Sequence, residues 1–204
     1  MLVYLEGVDG VGKSTQIAAL KQAFSHATFT AEPFNAALRE ILLSGRLQSK
    51  EAEALLFLAD RAEHFKQVLS GGVLQKSNLI FSDRGFVSGV AYGVANGGNL
   101  AQLLELNRFA LQGCLEGKFV LLEGSERLFE ARLNSRKSQD AIESRGFSYL
   151  LRVQEAMRQV LEFLKADFIA INASLPQVEV TQKIVNFVKC ESNSVLTNSS
   201  KERR

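Results

Sequence analysis

Apolar positions along this chain follow two different periods. Short runs that are mostly apolar or β-branched lie at Met1–Leu5, Ala27–Thr30, Leu79–Ser82, Phe119–Leu122 and Phe168–Ile171. Runs of that length suit strands buried on both faces. Between them the apolar residues recur every three or four positions. Ile17, Leu20, Ala23 and Phe24 follow the first run, and Leu38, Ile41 and Leu42 fall within Asn35–Leu43. Further helices are predicted from Ser49 to about Leu69, over Asn99–Leu115, Ser125–Leu133 and Tyr149–Leu164, and within Leu175–Val188. Ser49 with Glu51 and Glu53 behind it has the makings of an N-cap with acids in the first turn. Gly71-Gly72 would stop that long segment, and Pro176 suits the first turn of the last helix. Strands alternating with helices imply an α/β domain whose parallel sheet, about five strands, is covered on both faces. One domain is expected over residues 1–190. The polar, aperiodic stretch 191–204 is expected to be a disordered tail.

Composition narrows this little. A chain of 204 residues, 46% hydrophobic and 23% charged, carries a full core for one domain. A net charge of +2 argues against a molecule built as a whole for nucleic acid or membrane surfaces. No apolar run approaches a bilayer span, and no basic region precedes a hydrophobic segment at the N-terminus. A cytoplasmic location is expected. Cys114 and Cys190 fit no metal or redox spacing and read as packing thiols in a reducing compartment.

The candidate chemistry is concentrated near the N-terminus. Gly7-Val8-Asp9-Gly10-Val11-Gly12-Lys13-Ser14 completes G-x-x-x-x-G-K-[ST], between a strand and a helix. Glycines allow the tight turn that aims backbone N–H groups at a β-phosphate. Lys13 brings charge to the β/γ oxygens, and the Ser14 hydroxyl is placed to ligate Mg²⁺. The helix N-terminus behind them favours an anion, so Gly7 to Thr15 form a candidate triphosphate site. Asp83-Arg84 follows the run Leu79–Ser82, just beyond the predicted strand end where parallel sheets bind ligands. Apolar residues ending in Asp make the Walker-B pattern, in which Asp83 organises the Mg²⁺ shell. The alternative is a helix-terminal acid beside a solvated Arg.

Leu5 to Gln16, with Glu6-Gly7 ahead of the loop and Asp9 inside it, resembles the P-loop of the thymidylate kinase family in its bacterial form. Glu32-Pro33 falls where that family has Arg-Glu-Pro-Gly-Gly. Phe57-Leu58-Ala59-Asp60-Arg61 resembles its Phe-x-x-x-Arg helix, and Asp83-Arg84 with Ser88 and Ala91-Tyr92 its Asp-Arg-x-x-x-Ser-x-x-Ala-Tyr segment. Asp140 to Glu143 resembles the end of its lid, and Ile171-Asn172-Ala173 its last strand. The resemblance runs from residue 1 to about residue 188 and implies a P-loop kinase fold with a lid at about 134–146.

The resemblance implies transfer of the γ-phosphoryl group of MgATP to dTMP, by a homodimer without nucleic-acid or membrane partners. The acceptor is already an anion, so positioning and positive charge matter more than a strong base. Lys13, Arg84 and Arg39 would carry that charge, and Asp9 would sit near the metal and the 3′-hydroxyl. For Asp9 the plainer reading is a turn-former. Phe57 would stack on thymine and Arg61 would reach O4. Phe57 lies in an apolar run where core packing is its natural role, yet Phe57 and Arg61, one helical turn apart, share a face. Tyr92 would occupy the space of a ribose 2′-hydroxyl, or be an ordinary half-buried Tyr; Glu32, Pro33 and Ser88 would complete the acceptor site. Arg132, Arg136, Lys137 and Arg145 form a basic stretch, either solvated surface or a lid over ATP. In the lid reading Arg132 and Arg136 contact the nucleotide, Arg136 is catalytic, and Asp140 and Glu143 anchor the segment.

Ala31, Phe34-Asn35 and Ala141 depart from the family pattern, with Arg39 available to replace a missing clamp Arg. Gly89 and Gly93 leave little side-chain functionality around Tyr92. Two other classes fit the P-loop. One is a kinase for another nucleotide or a deoxynucleoside, for which Glu32 is the candidate base. The other is a nucleotide-dependent switch ATPase, against which the Phe57/Arg61 pair and the lid argue.

Overall fold

A computed structural model describes residues 1–69, 79–133 and 146–190. The Gly71-Gly72 stop, the tail, and the lid residues Arg136, Lys137, Asp140, Ala141, Glu143 and Arg145 lie outside the described residues. Within them the chain runs β1 (Leu2–Glu6), α1 (Lys13–Ala23), β2 (Thr28–Ala31), α2 (Ala36–Leu43), α3 (Lys50–His64) and β3 (Ile80–Asp83). It continues through α4 (Phe86–Ala95), α5 (Leu100–Ala110), β4 (Lys118–Glu123), α6 (Glu126–Leu133), α7 (Phe147–Phe163), β5 (Asp167–Asn172) and α8 (Gln177–Lys189). The five strands form one sheet in the order β2-β3-β1-β4-β5, and every pairing is parallel. The α/β P-loop kinase fold expected from the sequence is the fold observed.

Helix starts follow local chemistry. The Asn35 side chain accepts from the N–H groups of Ala37 and Leu38, Ser49 from Ala52, and Asn99 from Gln102. Pro176 stands at the N-cap of α8, one position ahead of the expected first turn. Helix α5 stops at Ala110, short of the expected Leu115, because Gln112 and Gly113 both take positive φ, 51° and 88°. Helix α4 was not foreseen. Its sequence FVSGVAYGVA contains two glycines and three valines, poor helix formers, and it is too apolar for one face to stand out. Such a helix is stable only when surrounded, and α4 packs on α3, α5 and α7 with Phe86, Val87, Val90 and Ala91 buried. Cys114 and Cys190 are exposed free thiols, not the packing residues expected; one follows the α5 turn and the other caps α8.

Two aromatic groups anchor the sheet faces. Tyr4 stacks on Phe119 at 5.0 Å and meets Phe86 edge-on, while Phe81 stacks on Phe29 at 5.1 Å. Among the described residues no helix is long and apolar enough to cross a membrane.

The connection leaving β1 runs to one side of the sheet, and the one leaving β3 crosses to the other. Carboxyl ends of strands beside such a reversal open the crevice where parallel sheets take ligands. Here the ends are level: Asp83 pairs with Leu5 on one side and Ala31 on the other. Asp83 is therefore the last residue of β3, not a residue beyond it.

Gly85, in the link from β3 to α4, has no room for a side chain. A Cβ there would stand 2.7 Å from Cε1 of Tyr4, a ring held by its stack on Phe119. Gly85→Ala is expected to destabilise the fold by about 1–3 kcal/mol. Urea unfolding should show a lower midpoint at unchanged m-value; an unchanged midpoint would mean that the Tyr4 ring is free to move.

Candidate active site

The loop between β1 and α1 is a cradle without an occupant's side chain. Gly7 and Gly12 adopt φ of 146° and 107°, values an L-residue rarely takes. Gly12 caps α1 with no side-chain bond, so the first-turn N–H groups stay open to an anion. Ser14 and Thr15 are exposed there. Lys13 folds back over the loop, its Nζ donating to the carbonyls of Gly7 at 2.9 Å and Val8 at 3.0 Å. Burial lowers its pKa to about 8, helped by the charge of Arg84 and opposed by Asp9 and Asp83.

Arg84 joins this loop to the end of β3. It takes φ 70°, uncommon for a residue with a side chain, and its N–H still donates to Leu5 O at 2.9 Å. From there Nη1 donates to Gly7 O at 2.8 Å and Ser88 Oγ at 3.3 Å, and Nη2 pairs with Asp9. The Tyr92 hydroxyl donates to the other Asp9 oxygen at 3.2 Å. Burial alone would raise the Asp9 pKa, but Arg84 and Lys13 outweigh it and hold the group at about 2. Asp9 is thus a fixed anion between two cations, which a turn-former would not need to be. Burial pushes the Tyr92 phenol up, so it remains a donor.

Asp83 shares a cavity with Lys13, Ser14, Thr15, Arg39 and Arg84. Its Oδ1 is buried with no hydrogen-bond partner among the described residues. An adjoining cavity, reached past Asp9, Glu32, Pro33 and Arg84, is walled by Phe57, Arg61, Ser88 and Tyr92. Phe57 is half-buried and lines this space; it does not join the core cluster. A third cavity lies behind the loop along Gly10, Val11, Thr15 and Arg132. Arg132 donates to the carbonyls of Val11 at 2.7 Å and Ala173 at 2.9 Å.

Some expected residues are placed differently from their expected use. Both Glu32 oxygens are taken, Oε2 by Arg61 Nη2 at 2.6 Å and Oε1 by His64 Nδ1 at 3.2 Å. Burial would raise its pKa, but Arg61 and His64 lower it, so it is a paired carboxylate unsuited to a general base. Ser88 is also engaged: its hydroxyl donates to Glu6 and accepts from Arg84. Arg39 is exposed and faces the triphosphate cavity rather than the Phe57 side. Gly89 and Gly93 do not leave open space. A Cβ on Gly89 would stand 2.8 Å from Arg61 Nη1, and one on Gly93 would stand 2.7 Å from Leu103 Cδ1.

Four buried polar residues were missed. Glu6, whose pKa burial raises to about 7 against Ser88 and Arg84, ends β1 beneath the site. Asp60 accepts from the N–H groups of Phe34 and Asn35 at 2.8 and 2.7 Å, stapling the turn where the glycine pair is absent. His64 stacks under Phe34 at 4.8 Å and meets Thr30 Oγ1 at 2.8 Å. Asn107 accepts from Arg61 at 2.5 Å. Glu6 was visible as a charge closing an apolar strand. Asp60 and His64 fall on the helical stripe of Phe57 and Arg61. Asn107 had no local signal.

Comparison with known proteins gives one answer. The family model described as thymidylate kinase matches residues 5–184. The thymidylate kinase of Campylobacter curvus is 50% identical over 196 residues, covering 93% of this chain and all of that protein. That of Wolinella succinogenes is 46% identical over 190 residues, covering 91% and 97%. In fold, the chain is similar to the crystal structure of thymidylate kinase from Ehrlichia chaffeensis, with a TM-score of 0.72 at 19% identity. That likeness covers 92% of this chain and 98% of that one.

The state of Lys13 carries a pH prediction. Its ordinary pKa of 10.5 is lowered to about 8 by burial and the neighbouring Arg84, and a bound polyanion should raise it again. Binding of a nucleoside triphosphate above pH 8 therefore takes up a proton. Affinity is expected to fall as pH rises through about 8, up to tenfold per pH unit. Calorimetric titrations in buffers of different ionisation heat measure the uptake; none at pH 8.5 would place Lys13 elsewhere.

Proposed function

The chain belongs to the thymidylate kinase family, and we propose that it transfers the γ-phosphoryl group of MgATP to dTMP, giving dTDP and ADP for dTTP synthesis. The observation that carries this reading is the Asp9–Arg84–Tyr92 junction, which stands between a triphosphate cradle and an aromatic-walled acceptor cavity. Transfer between two polyanions needs the reacting groups in line and their charge offset. Lys13 leaves its carbonyl partners for the β/γ oxygens of ATP. Arg84 holds the dTMP phosphate, and Arg39, which lines the same cavity as Lys13 and Ser14, adds positive charge at its mouth.

Tyr92 is pinned by Asp9 beside the sugar position, where its ring excludes a 2′-hydroxyl. Phe57 provides the stacking face for the base, and Arg61 offers an N–H to O4. Arg132 supports the donor side of the loop, and we assign Arg136 the remaining charge over ATP. Asp83 and Ser14 would hold Mg²⁺, and the buried Asp83 Oδ1 without a partner fits such an ion. When bound, the ion supplies charge that offsets the β/γ oxygens.

The test is ADP release with MgATP against dTMP, dUMP, dCMP, dGMP and thymidine. We expect kcat/KM to be highest for dTMP, lower for dUMP, and at least about a hundredfold lower for dCMP, whose N4 amine opposes the Arg61 donor. Thymidine should not turn over, since both oxygens of Glu32, the candidate base for a 5′-hydroxyl, are paired with Arg61 and His64. Arg84→Ala should raise the dTMP KM and lower kcat. A preference for dCMP or a purine would remove the dTMP reading and leave a kinase for another nucleotide.

The same reading includes a homodimer and a cytoplasmic location. Leu55 on α3, with Leu106 and Phe109 on α5, are exposed large apolar residues on helices that pack together, Phe109 at 87% exposure. That is the surface we expect the partner copy to cover. Light scattering should give twice the chain mass, and Phe109→Glu should give a monomer; a monomeric wild-type protein would reject the dimer.

A further inference from the structure

We propose that Asn107, on α5 and outside the phosphate machinery, is a positioning residue that sets base choice by fixing the Arg61 guanidinium. The proposal rests on the acceptor site being one for dTMP.

Arg61 is 2% exposed but forms part of the cavity wall. A guanidinium has five N–H groups, and here their partners can be counted. Nε donates to Glu32 Oε2 at 3.0 Å. Nη2 donates to the same oxygen at 2.6 Å and to Gly85 O at 3.2 Å. Nη1 gives one N–H to Asn107 Oδ1 at 2.5 Å. Among the described residues a single N–H, the second on Nη1, is left for a base.

Asn107 decides where that last N–H points. Its own orientation is settled, because Nδ2 donates to Leu103 O one turn back at 2.7 Å, leaving Oδ1 for Arg61. Asparagine is a poor helix former, and at 2% exposure its amide is tolerated only with partners. It is also a neutral acceptor. An anion there would crowd the Glu32 carboxylate, whereas the amide orients Nη1 without another charge. Gly89 limits the guanidinium at its Nη1/Nη2 edge, since a Cβ there would stand 2.8 Å from Nη1 and 2.9 Å from Nη2. Glu32 holds Nε and Nη2, Asn107 holds Nη1, and the backbone of α4 at Gly89 stands against the edge between the two Nη atoms. A donor with no freedom to turn away cannot accommodate the N4 amine of a cytosine, but it meets O4 directly. Loosening it should cost dTMP binding and relax the penalty on dCMP.

Two variants and one control test this, with kcat/KM for dTMP and dCMP and the KM for MgATP as readouts. Asn107→Leu removes the acceptor at similar size. It is expected to lower dTMP kcat/KM about tenfold, mostly through KM, and to shrink the dTMP/dCMP ratio by at least that factor. The KM for MgATP should stay within about twofold, a split that a general loosening of the fold would not give. Gly89→Ala displaces the same guanidinium from another helix, should fold because Ala favours α4, and should shrink the ratio likewise. Asn107→Ser keeps a neutral oxygen that can accept from Nη1 and donate to Leu103 O, and should retain more of the ratio than Asn107→Leu. The proposal is overturned if Gly89→Ala and Asn107→Leu leave the ratio intact, or if Asn107→Ser collapses it as far as Asn107→Leu. A wild-type enzyme without dTMP preference would instead overturn the dTMP reading itself.

Discussion

The rest of the site depends on Arg84. Its backbone is in the left-handed region, a conformation that costs free energy in a residue with a side chain. The return is positional: the guanidinium leaves the end of β3 and reaches Gly7 O, Asp9 and Ser88 together. Those partners belong to the P-loop and to α4, so one side chain links the triphosphate cradle to the acceptor wall. The level strand ends make this possible. If Asp83 were not in register with Leu5, the Arg84 N–H could not bond Leu5 O and the guanidinium would miss the loop.

Behind this junction lies a second layer of charge that contacts the ligand space only at its surface. Glu32, Arg61, His64 and Asn107 are all buried, and so is Glu6 beneath Ser88. Buried charges persist only when paired and hydrogen-bonded. Glu32 meets that demand with a cation on one oxygen and an imidazole on the other. The His64 ring joins Glu32 at Nδ1, 3.2 Å away, to Thr30 Oγ1 at Nε2, 2.8 Å away. Glu6 is different: its Oε1 has no partner among the described residues, and burial brings its pKa to about 7. The two carboxylates therefore differ: Glu32 is held as an anion by Arg61 and His64, while burial raises the Glu6 pKa to about 7. Asp9 is a stronger counter-ion to Arg84 than Glu6 is.

How much was legible in the sequence followed the range of the interactions. The P-loop was readable because its glycines, Lys13 and Ser14 act within eight consecutive positions. The helix cap at Ser49 was readable for the same reason, whereas the cap at Asn35 was not singled out. The strands along the chain and their parallel pairing followed from alternation, with ends misjudged by a residue or two where Asp83 and Asp167 continue the pairing. Helix α4 was obscured because its residues are chosen for close packing, Gly89 against a guanidinium and Gly93 against Leu103. Those glycines looked like missing function and are instead space reserved for other side chains. The partners of Arg61 were out of reach, since Glu32 and Asn107 lie 29 and 46 residues away. Arg61 was read as a free donor for this reason, although most of its N–H groups have protein partners.

The arrangement of Lys13, Arg84 and Asp9 bears on the repulsion inherent in bringing two polyanions together. Lys13 and Arg84 both donate to the carbonyl of Gly7, so the cations proposed for the donor and the acceptor share one neutral anchor. Their proximity is unfavourable, and it contributes to the lowering of the Lys13 pKa. Asp9 offsets part of this from between them, which is why its carboxyl stays ionised down to about 2. An incoming phosphate exchanges a carbonyl partner for a charged one and relieves cation–cation repulsion in the same step. Strain of like charge held in the free protein thus becomes attraction when the anions arrive. The cost is carried by folding and not by the reaction, the arrangement that electrostatic preorganisation requires.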